Sequence, residues 1–346
     1  MSFRKLSFAT RFSALCGAAL LLVGSAFGAD ADASAVSVSN DAASSDAKAD
    51  EQNGYYVFSY FVGNGEDGLH YAVSRDGYQW TALNGGKSVF ASPLGKNVKL
   101  MRDPSICQGA DGVYRLAWTV SWDGKSIGVA SSRDLIEWTD VKVVPTMAHE
   151  PTARNSWAPE VFYDKKSQEF YIVWSTTIPG RFSPENEGTS EDRLDHRAYY
   201  ITTKDFQTFS PTKLYFDPGH NVIDGYLAEQ DGEYFLFYKD ETLRPEAKKT
   251  ILVAKGKSPV GPFENPKTIS AQNWVEGPSA IRIDGAWLVF YDCYRDGKYG
   301  AVRSVDGENW EDVGDKVQFP KGTRHGTAFE VDRETFERLV EKYGDK

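Results

Sequence analysis

A motif that recurs five times is the feature of this sequence that most constrains its fold. Each copy has a stretch of small and β-branched residues, turns at Asp-Gly or an equivalent pair, and ends on an aromatic residue. The copies occupy residues 70–80, 127–138, 199–209, 252–263 and 299–310, and an aromatic and β-branched stretch precedes each one, at 55–61, 113–120, 169–176, 233–238 and 286–291. Alternating side chains and tight turns are typical of β-hairpins. The repeat therefore predicts an all-β protein built of five similar units.

Four of the five units have one more strand upstream, joined by a turn, so that each holds four strands. The turns lie at residues 111–112, 164–166, 231–232 and 284–285. The first unit lacks this strand, but residues 326–331 could supply it. We therefore predict a five-bladed β-propeller with ring closure by the C-terminal strand, because radial repetition protects the edges of the sheets. A short amphipathic helix follows, with Phe336, Leu339, Val340 and Tyr343 on one face.

The sequence before the repeats divides into two segments. Residues 1–29 have basic residues at positions 4, 5 and 11, an apolar run at 14–23 and a small-x-small site at 26–28, which is the layout of a secretory signal peptide. That run is too short to span a bilayer, so we expect no membrane insertion and a secreted protein, extracellular or periplasmic. Residues 30–52 contain no aromatic residue and predict a disordered linker. Residues 53–346 are predicted to form the propeller domain, and we expect a monomer.

Charge and cysteine content limit the partners. The formal net charge of -10 argues against nucleic acid and against anionic membrane surfaces, because both need basic patches. An acidic chain rich in aromatic residues is compatible with a neutral ligand such as a sugar. Cys107 and Cys293 fall in non-adjacent units, so we expect two buried free thiols rather than a disulfide.

One ionisable residue is expected at the equivalent place in every blade, at the start of each predicted inner strand. The five are Asp103, Glu160, Asp224, Glu276 and His325. Because the inner strands of a propeller line its axis, these groups should converge at one end of the channel. Four carboxylates and a histidine in one place require a proton, a metal or a ligand to relieve their repulsion. Each group could instead cap its own strand, but five such residues together favour a site.

These segments resemble glycoside hydrolase family 43, whose members are five-bladed propellers that cleave arabinosides, xylosides and galactosides with inversion. The resemblance covers the whole predicted propeller. It is most specific at Arg-Asp-Pro-Ser-Ile (102–106), Trp-Ala-Pro-Glu (157–160), Ile-Asp-Gly (223–225), Glu-Gly-Pro (276–278) and Arg-His-Gly (324–326). It implies a glycosidase for arabinofuranosyl or related galactosyl and xylosyl linkages in polysaccharides or oligosaccharides. Many members have aspartate after Trp-Ala-Pro and proline after Ile-Asp, and this sequence departs from both patterns.

The resemblance also implies roles for individual residues. Asp103 is similar to the family's general base and Glu276 to its general acid, while Asp224 is similar to the aspartate that raises the pKa of the acid and orients it. His325 is similar to an axial histidine that helps to hold a central ion, commonly calcium through waters. No organic cofactor is implied. The chemistry agrees, because inverting hydrolysis needs one carboxylic acid and one carboxylate with a water between them.

Four further residues are predicted to contact the substrate: Arg102, Trp157, Glu160 and Arg197. Arg102 could reach a sugar hydroxyl or the base, or could form a structural ion pair, and Trp157 could stack on a sugar or belong to the core. Arg197 could reach the pocket from the long loop 178–194. Residues 239–241 and Asp292 end second strands and are expected to face solvent.

Other functions match the sequence in part. Fructan-cleaving propellers, which retain configuration, also contain Arg-Asp-Pro, but they use an additional N-terminal Asn-Asp-Pro nucleophile and a Glu-Cys acid that this sequence lacks. A non-catalytic sugar-binding propeller would keep the aromatic residues and Arg102 but would not need acid, base and a third carboxylate together. A structural scaffold gives no reason for one ionisable group per blade. The residues favour the enzyme and leave open which sugar it cleaves.

Overall fold

Twenty strands form five four-stranded antiparallel sheets in the computed structural model of the protein, which describes residues 54–182, 189 and 194–344. Blade 1 contains β1 (Tyr56–Phe61), β2 (His70–Ser74), β3 (Thr81–Ala82) and β20 (Arg324–Glu330); blade 2 contains β4 (Arg102–Gln108), β5 (Tyr114–Thr119), β6 (Ile127–Ser132) and β7 (Thr139–Val144); blade 3 contains β8 (Trp157–Asp164), β9 (Glu169–Thr177), β10 (His196–Thr203) and β11 (Lys213–Phe216); blade 4 contains β12 (Val222–Gln230), β13 (Glu233–Asp240), β14 (Thr250–Gly256) and β15 (Glu264–Thr268); blade 5 contains β16 (Glu276–Ile283), β17 (Ala286–Cys293), β18 (Lys298–Ser304) and β19 (Glu311–Asp312). The predicted all-β propeller with five blades is confirmed.

The inner strands β4, β8, β12, β16 and β20 surround the axis. Each contacts the inner strand of the next blade, and β20 contacts both β16 and β4, so the series returns to its start. In blade 1, β20 pairs with β1, with Ser59 opposite Thr327 and Val57 opposite Phe329. The first and last strands of the described chain therefore share one sheet.

The second strand of each blade is buried along almost its whole length. All six residues of β5 and all eight of β17 are buried, and Trp118 of β5 and Trp174 of β9 are fully buried. Both faces of these strands are covered because each blade packs between two neighbours. That is why the corresponding stretches of sequence are almost continuously apolar rather than alternating.

The recurring aspartates of the repeat brace the turn after the third strand. In blade 1, Ser74 Oγ accepts the backbone N–H of Gly77 (2.8 Å), and Asp76 Oδ1 accepts those of Tyr78 and Gln79 (both 2.8 Å). The same arrangement recurs at Ser132 and Asp134, at Thr203 and Asp205, and at Ser304 and Asp306. Side-chain oxygens that satisfy backbone N–H groups are the reason why Ser or Thr and Asp recur in such turns.

The helix, residues Arg333–Tyr343, begins after Asp332, whose side chain accepts the N–H of Thr335 (2.7 Å). Phe336 and Leu339 are buried, but Val340 is exposed, so the predicted apolar face is narrower than the sequence indicated. This is the only α-helix among the described residues, and no described helix is long and apolar enough to cross a membrane. Two 3₁₀ turns lie at Asn84–Gly86 and Lys96–Val98.

Both cysteines of the described chain are free, as predicted. Cys293 is buried on β17, whereas Cys107 is partly exposed on β4. The burial expected for both thiols is therefore wrong for Cys107. The predicted signal peptide (1–29) and the whole of the predicted linker (30–52) lie outside the described residues.

Candidate active site

A β-bulge interrupts every inner strand at the same place. In blade 2, Arg102 pairs with Thr119 and Ser105 with Ala117, so the inner strand has one residue more than its partner. Equivalent shifts occur in the other four blades, between Trp157 and Glu160, Ile223 and Tyr226, Glu276 and Ser279, and opposite β20 between Ser59 and Phe61. The extra residue redirects side chains toward the channel mouth, as bulges commonly do beside functional sites.

The pairing registers show which residues are equivalent. Each bulge consists of a paired residue, two unpaired residues and a second paired residue. Asp103, Asp224 and His325 are the first unpaired residues of their bulges. Glu276 is instead the first paired residue of its bulge, and Glu160 is the second paired residue of its own. The expectation that five ionisable groups occupy one equivalent position is therefore wrong. The bulge adds a residue that the sequence alone does not reveal, and Ala158 and Gly277 fill the shared position in blades 3 and 5.

A cavity of about 390 Å³ opens at this end of the channel. Six of the predicted site residues line it: Arg102, Asp103, Trp157, Asp224, Glu276 and His325. Ten further residues complete its lining: Gly63, Asn64, Thr119, Trp122, Ala158, Ile223, Lys239, Glu241, Tyr294 and Arg324. The structure thus brings together the three carboxylates that the resemblance assigns to catalysis.

Asp103 is held by a short hydrogen-bond chain. Thr119 donates its hydroxyl to Asp103 Oδ2 (2.7 Å) and accepts the N–H of Ala158 (2.8 Å). Because that N–H fixes the direction of the hydroxyl, it also fixes the carboxylate. His325 Nδ1 lies 3.5 Å from the other oxygen, Oδ1. Asp103 has a φ of 51°, in the left-handed region that a non-glycine residue adopts at a cost, so its backbone is strained at the bulge.

Asp224 has the corresponding position in blade 4. Its Oδ2 accepts the N–H of Gly277 (3.0 Å) and lies 4.0 Å from His325 Nδ1. Burial raises the pKa of Asp224 to about 6, and the negative charges of Glu276 and Asp103 also raise it. The positive charges of His325 and Lys239 lower the pKa but do not outweigh burial. A side chain at Gly277 would collide with the His325 ring, since a Cβ there would lie 2.4 Å from Cδ2, and φ is 59°.

Glu276 is bound by two cations. Arg324 Nη2 donates to Oε1 (2.8 Å) and Lys239 Nζ to Oε2 (3.3 Å). Burial alone would raise the pKa of this carboxyl, but Lys239, Arg324 and His325 outweigh burial and lower it to about 2. The two cations therefore determine the pKa of Glu276 in the protein without substrate, and a raising effect of Asp224 on this carboxyl stays a prediction.

The charges around Glu276 are buried, which the sequence did not predict. Lys239 is only 2% exposed, and its Nζ lies 2.7 Å from Glu241, which also contacts the fully buried Lys249. Asp292 is buried and accepts a hydrogen bond from Arg324 Nε (2.7 Å). The expectation that residues 239–241 and Asp292 face solvent is wrong for Lys239, Glu241 and Asp292, and Asp240 is only partly exposed. Cross-strand register brings them to the site, because Lys239 pairs with Ile223 and Asp292 with Glu276, and this register is seen only in the structure.

His325 and Glu160 lie in the channel between the inner strands. His325 Nε2 is 4.0 Å from Glu160, and Ser105 Oγ donates to Glu160 (2.5 Å). Burial lowers the pKa of His325, but Asp224, Asp103, Glu160 and Glu276 outweigh burial and raise it. Calcium takes six to eight oxygen ligands at roughly 2.3–2.6 Å, and the described residues contain no group of three or more His, Cys, Asp or Glu side chains that could hold a metal ion. The described side chains therefore do not fit a directly coordinated calcium ion.

Glu160 should make stability fall as pH rises. Burial raises its folded-state pKa from 4.5 to about 8. The contribution of protonated Glu160 to the free energy of unfolding is therefore fully present below pH 4.5 and is lost as the pH rises through 8. We expect Glu160→Gln to have a flatter dependence of melting temperature on pH and, at pH 9, to melt a few degrees above the wild type. Calorimetry from pH 5 to 9 measures both. The exposed Glu311→Gln is the control, and parallel curves for wild type and Glu160→Gln would contradict the prediction.

Arg197 and Trp157 differ in their relation to the cavity. Arg197 is 1% exposed and forms ion pairs with Asp195 (2.5 Å) and Asp217. It is not one of the described residues that line the cavity. Its environment is that of a structural ion pair. Trp157 lines the cavity, contacts the Trp122 ring edge-on (centroids 5.6 Å apart), and donates its indole N–H to the Trp122 carbonyl (2.8 Å). Its contact with substrate stays a prediction.

Comparisons with known proteins agree on the type of domain. A family model described as a probable glycosyl hydrolase domain, related to glycoside hydrolase family 43, matches residues 50–337. An α-L-arabinofuranosidase of Bifidobacterium longum subsp. longum is 25% identical over 126 residues, which are 34% of this chain and 12% of that protein. The chain thus spans only a small part of the length of that curated relative.

Solved structures are similar in fold. A family 43 arabinoxylan arabinofuranohydrolase from Bacillus subtilis, in complex with cellotetraose, has a TM-score of 0.54 and 16% identity over 73% of this chain and 59% of that chain. An α-L-arabinofuranosidase from Lactobacillus brevis has a TM-score of 0.49 and 15% identity, over 61% and 72% of the two chains. The first of these likenesses shows that the fold is shared.

Proposed function

This chain belongs to the family of probable glycosyl hydrolase domains related to glycoside hydrolase family 43, and from that premise we propose that it is an inverting glycoside hydrolase. We propose as substrate an arabinofuranosyl or related galactosyl or xylosyl linkage in a polysaccharide or oligosaccharide. The single observation that carries the proposal is the convergence of Asp103, Asp224 and Glu276 on one cavity. The names of the relatives, which are arabinofuranosidases, support the choice of sugar.

In the proposed reaction, Asp103 acts as the general base. A water molecule attacks the anomeric carbon while the bond from that carbon to the leaving oxygen breaks, and Asp103 removes the proton of the water. The hydrogen bonds from Thr119 and from Ala158 to Thr119 support this role, because they hold the carboxylate in one orientation before the water arrives. The configuration at the anomeric carbon inverts, since the water enters opposite the leaving group.

Glu276 gives its proton to the leaving oxygen in this proposal. With Arg324 and Lys239 both bound to it, the carboxyl has a pKa of about 2 and holds no proton at neutral pH. Substrate must therefore draw at least one cation away before Glu276 can act. Both cations have a second carboxylate to accept them, Asp292 for Arg324 and Glu241 for Lys239. Asp224, beside both catalytic carboxyls, then repels a negative charge on Glu276 and favours its protonated form.

The low pKa of Glu276 also gives one specific reason to consider a sugar-binding propeller without catalysis. A screen on nitrophenyl furanosides and pyranosides, with NMR of the first-formed product anomer, separates the two functions. We expect cleavage of an arabinofuranoside or a close relative, with an anomer opposite to that of the substrate. A product of unchanged configuration would reject inversion, and failure on every glycoside would favour the binding function.

Two further proposals concern the N-terminal segment and the central channel. We propose that residues 1–29 direct secretion, which N-terminal sequencing of the exported protein would test. We also propose that any calcium in the central channel is held through waters, as the resemblance to family 43 implies. Metal analysis of the purified protein tests this second proposal, and no step of the reaction is assigned to the ion.

A further inference from the structure

We propose that Arg102 is the binding group for a carboxylate carried by the substrate, so that the pocket takes an oligosaccharide or polysaccharide that contains a uronic acid. The inference rests on the proposed function and specifies the substrate class of that same pocket. It starts from the charges around the cavity. Among the described residues, Arg102 is the cation of the cavity lining that has no carboxylate partner.

Arg102 makes very few polar contacts for a buried guanidinium. It is 8% exposed and lines the cavity. The one hydrogen bond of its side chain within the described residues is from Nη1 to Asn64 Oδ1, and at 3.3 Å it is long. No described carboxylate lies within ion-pair distance of it. A guanidinium has five N–H donors, and buried charges are normally paired, so most of the donor capacity of Arg102 is left for a ligand.

The other cations of the cavity are neutralised by the protein. Lys239 has Glu241 at 2.7 Å and Glu276 at 3.3 Å. Arg324 has Asp292 at 2.7 Å and Glu276 at 2.8 Å. Each of these side chains is therefore matched by two carboxylates, whereas Arg102 has none. This contrast identifies Arg102 as the place where the pocket can accept a negative charge without displacing an existing partner.

Arg102 is also fixed in position before any ligand binds. Its guanidinium lies over the Trp122 ring, 4.1 Å from the centroid, and over the Phe61 ring, 4.5 Å from the centroid. The indole N–H of Trp122 donates to the same Asn64 oxygen (3.0 Å), so Asn64 joins the arginine and the tryptophan. Contacts with ring faces leave the in-plane N–H groups of a guanidinium available, apart from the one that donates to Asn64, and in-plane donors are what bind a carboxylate in bidentate fashion.

A carboxylate suits this site better than a neutral hydroxyl. A hydroxyl supplies one or two acceptor positions but no charge, and it would leave the buried cation without compensation. The net charge of -10 does not prevent the binding of an acidic sugar, because charges farther away than about 8 Å are largely screened at physiological ionic strength. The four carboxylates that line the cavity face other cations: Asp103 and Asp224 face His325, Glu241 faces Lys239, and Glu276 faces Arg324 and Lys239.

The test compares two thio-linked disaccharides that the protein cannot hydrolyse and that differ only at C6, where one has a carboxylate and the other CH₂OH. Calorimetric titration gives the affinity of each ligand for wild type, Arg102→Gln, Arg102→Lys and the control Arg282→Gln. Arg282 lies near the opposite end of the inner strand β16 and lines a different cavity. A third ligand with a sulfate ester at C6 distinguishes a carboxylate from another anion.

We expect wild type and Arg282→Gln to bind the acidic disaccharide roughly 10- to 100-fold more tightly than the neutral one. Arg102→Gln should lose this preference. Arg102→Lys should keep only part of it, because an ammonium group lacks the planar fork. If circular dichroism shows that Arg102→Gln is unfolded, the ligand preferences of the wild type and of Arg102→Lys test the proposal.

Equal binding of the two disaccharides by wild type would overturn the proposal, as would a preference that survives in Arg102→Gln. Tighter binding of the sulfated ligand than of the acidic one would overturn the choice of a carboxylate. The two thio-linked disaccharides are not cleaved, so their comparison is independent of turnover. A carboxylate preference in a protein that cleaves no glycoside would reject the proposed hydrolase and leave the binding site in place.

Discussion

Replacing Glu276 with glutamine should lower the turnover of glycosides that have sugar leaving groups by about 10²- to 10⁴-fold, the usual contribution of a general acid. The loss should be much smaller with a dinitrophenyl leaving group, which departs without a proton. The fold should persist, because Lys239 keeps Glu241 and Arg324 keeps Asp292 as partners. Steady-state kinetics on both classes of substrate measures this difference, and Glu334→Gln, at an exposed position of the helix, is the matched control.

The pattern across leaving groups matters more than the size of the loss. Equal losses on both substrate classes would show that Glu276 does not protonate the leaving oxygen. Asp224→Asn is the informative companion, since burial already gives Asp224 a pKa of about 6. If Asp224→Asn, rather than Glu276→Gln, were the variant rescued by a good leaving group, Asp224 would be the acid.

Asp103→Asn should reduce turnover by a similar factor of about 10²–10⁴, but equally for all leaving groups, because the attacking water needs a base whatever departs. Asparagine can still accept the hydrogen bond that Thr119 donates to Oδ2, so the fold and the binding of uncleaved ligands should be retained. Kinetics on the same two substrate classes, together with titration of a thio-linked ligand, tests both expectations.

The exposed Asp315→Asn serves as the control for Asp103→Asn. Turnover of Asp103→Asn within a factor of a few of the wild-type rate would remove Asp103 from the reaction. Loss of ligand binding together with turnover would assign it a role in binding instead. Because Asp103 has strained backbone at the bulge, the melting temperature of the variant should be recorded, so that a folding defect is not mistaken for lost catalysis.

The blade architecture could be predicted because it depends on local patterns. The second strands predicted at 113–120 and 286–291 are found at Tyr114–Thr119 and Ala286–Cys293. These stretches are apolar because both faces are covered, and they end at turns whose residues have a direct hydrogen-bonding reason to recur. Motifs at the starts of the inner strands located most of the cavity lining for a similar reason, since one end of every inner strand meets the same channel mouth.

The electrostatics of the site could not be predicted in this way. The bulge shifts Glu276 relative to Asp224 by one position, and that shift depends on pairing across strands rather than on neighbours in sequence. Lys239 and Asp292 appear at strand ends like many solvated residues, but the packing of neighbouring blades buries them. Burial and partner distance determine the direction of a pKa shift, and neither can be obtained from the order of residues.

The pairing of β1 with β20 has a consequence for the order in which the protein is assembled. Ser59 donates a hydrogen bond to the Thr327 carbonyl, 268 residues further along the chain. Contacts between residues so far apart in sequence form slowly. During synthesis, the edge of β1 that pairs with β20 therefore stays unpaired until nearly all of the propeller has left the ribosome. Arg324 and His325 arrive with the same late strand. A growing chain therefore holds three carboxylates without two of the groups that balance them, and the site is complete only when the ring closes.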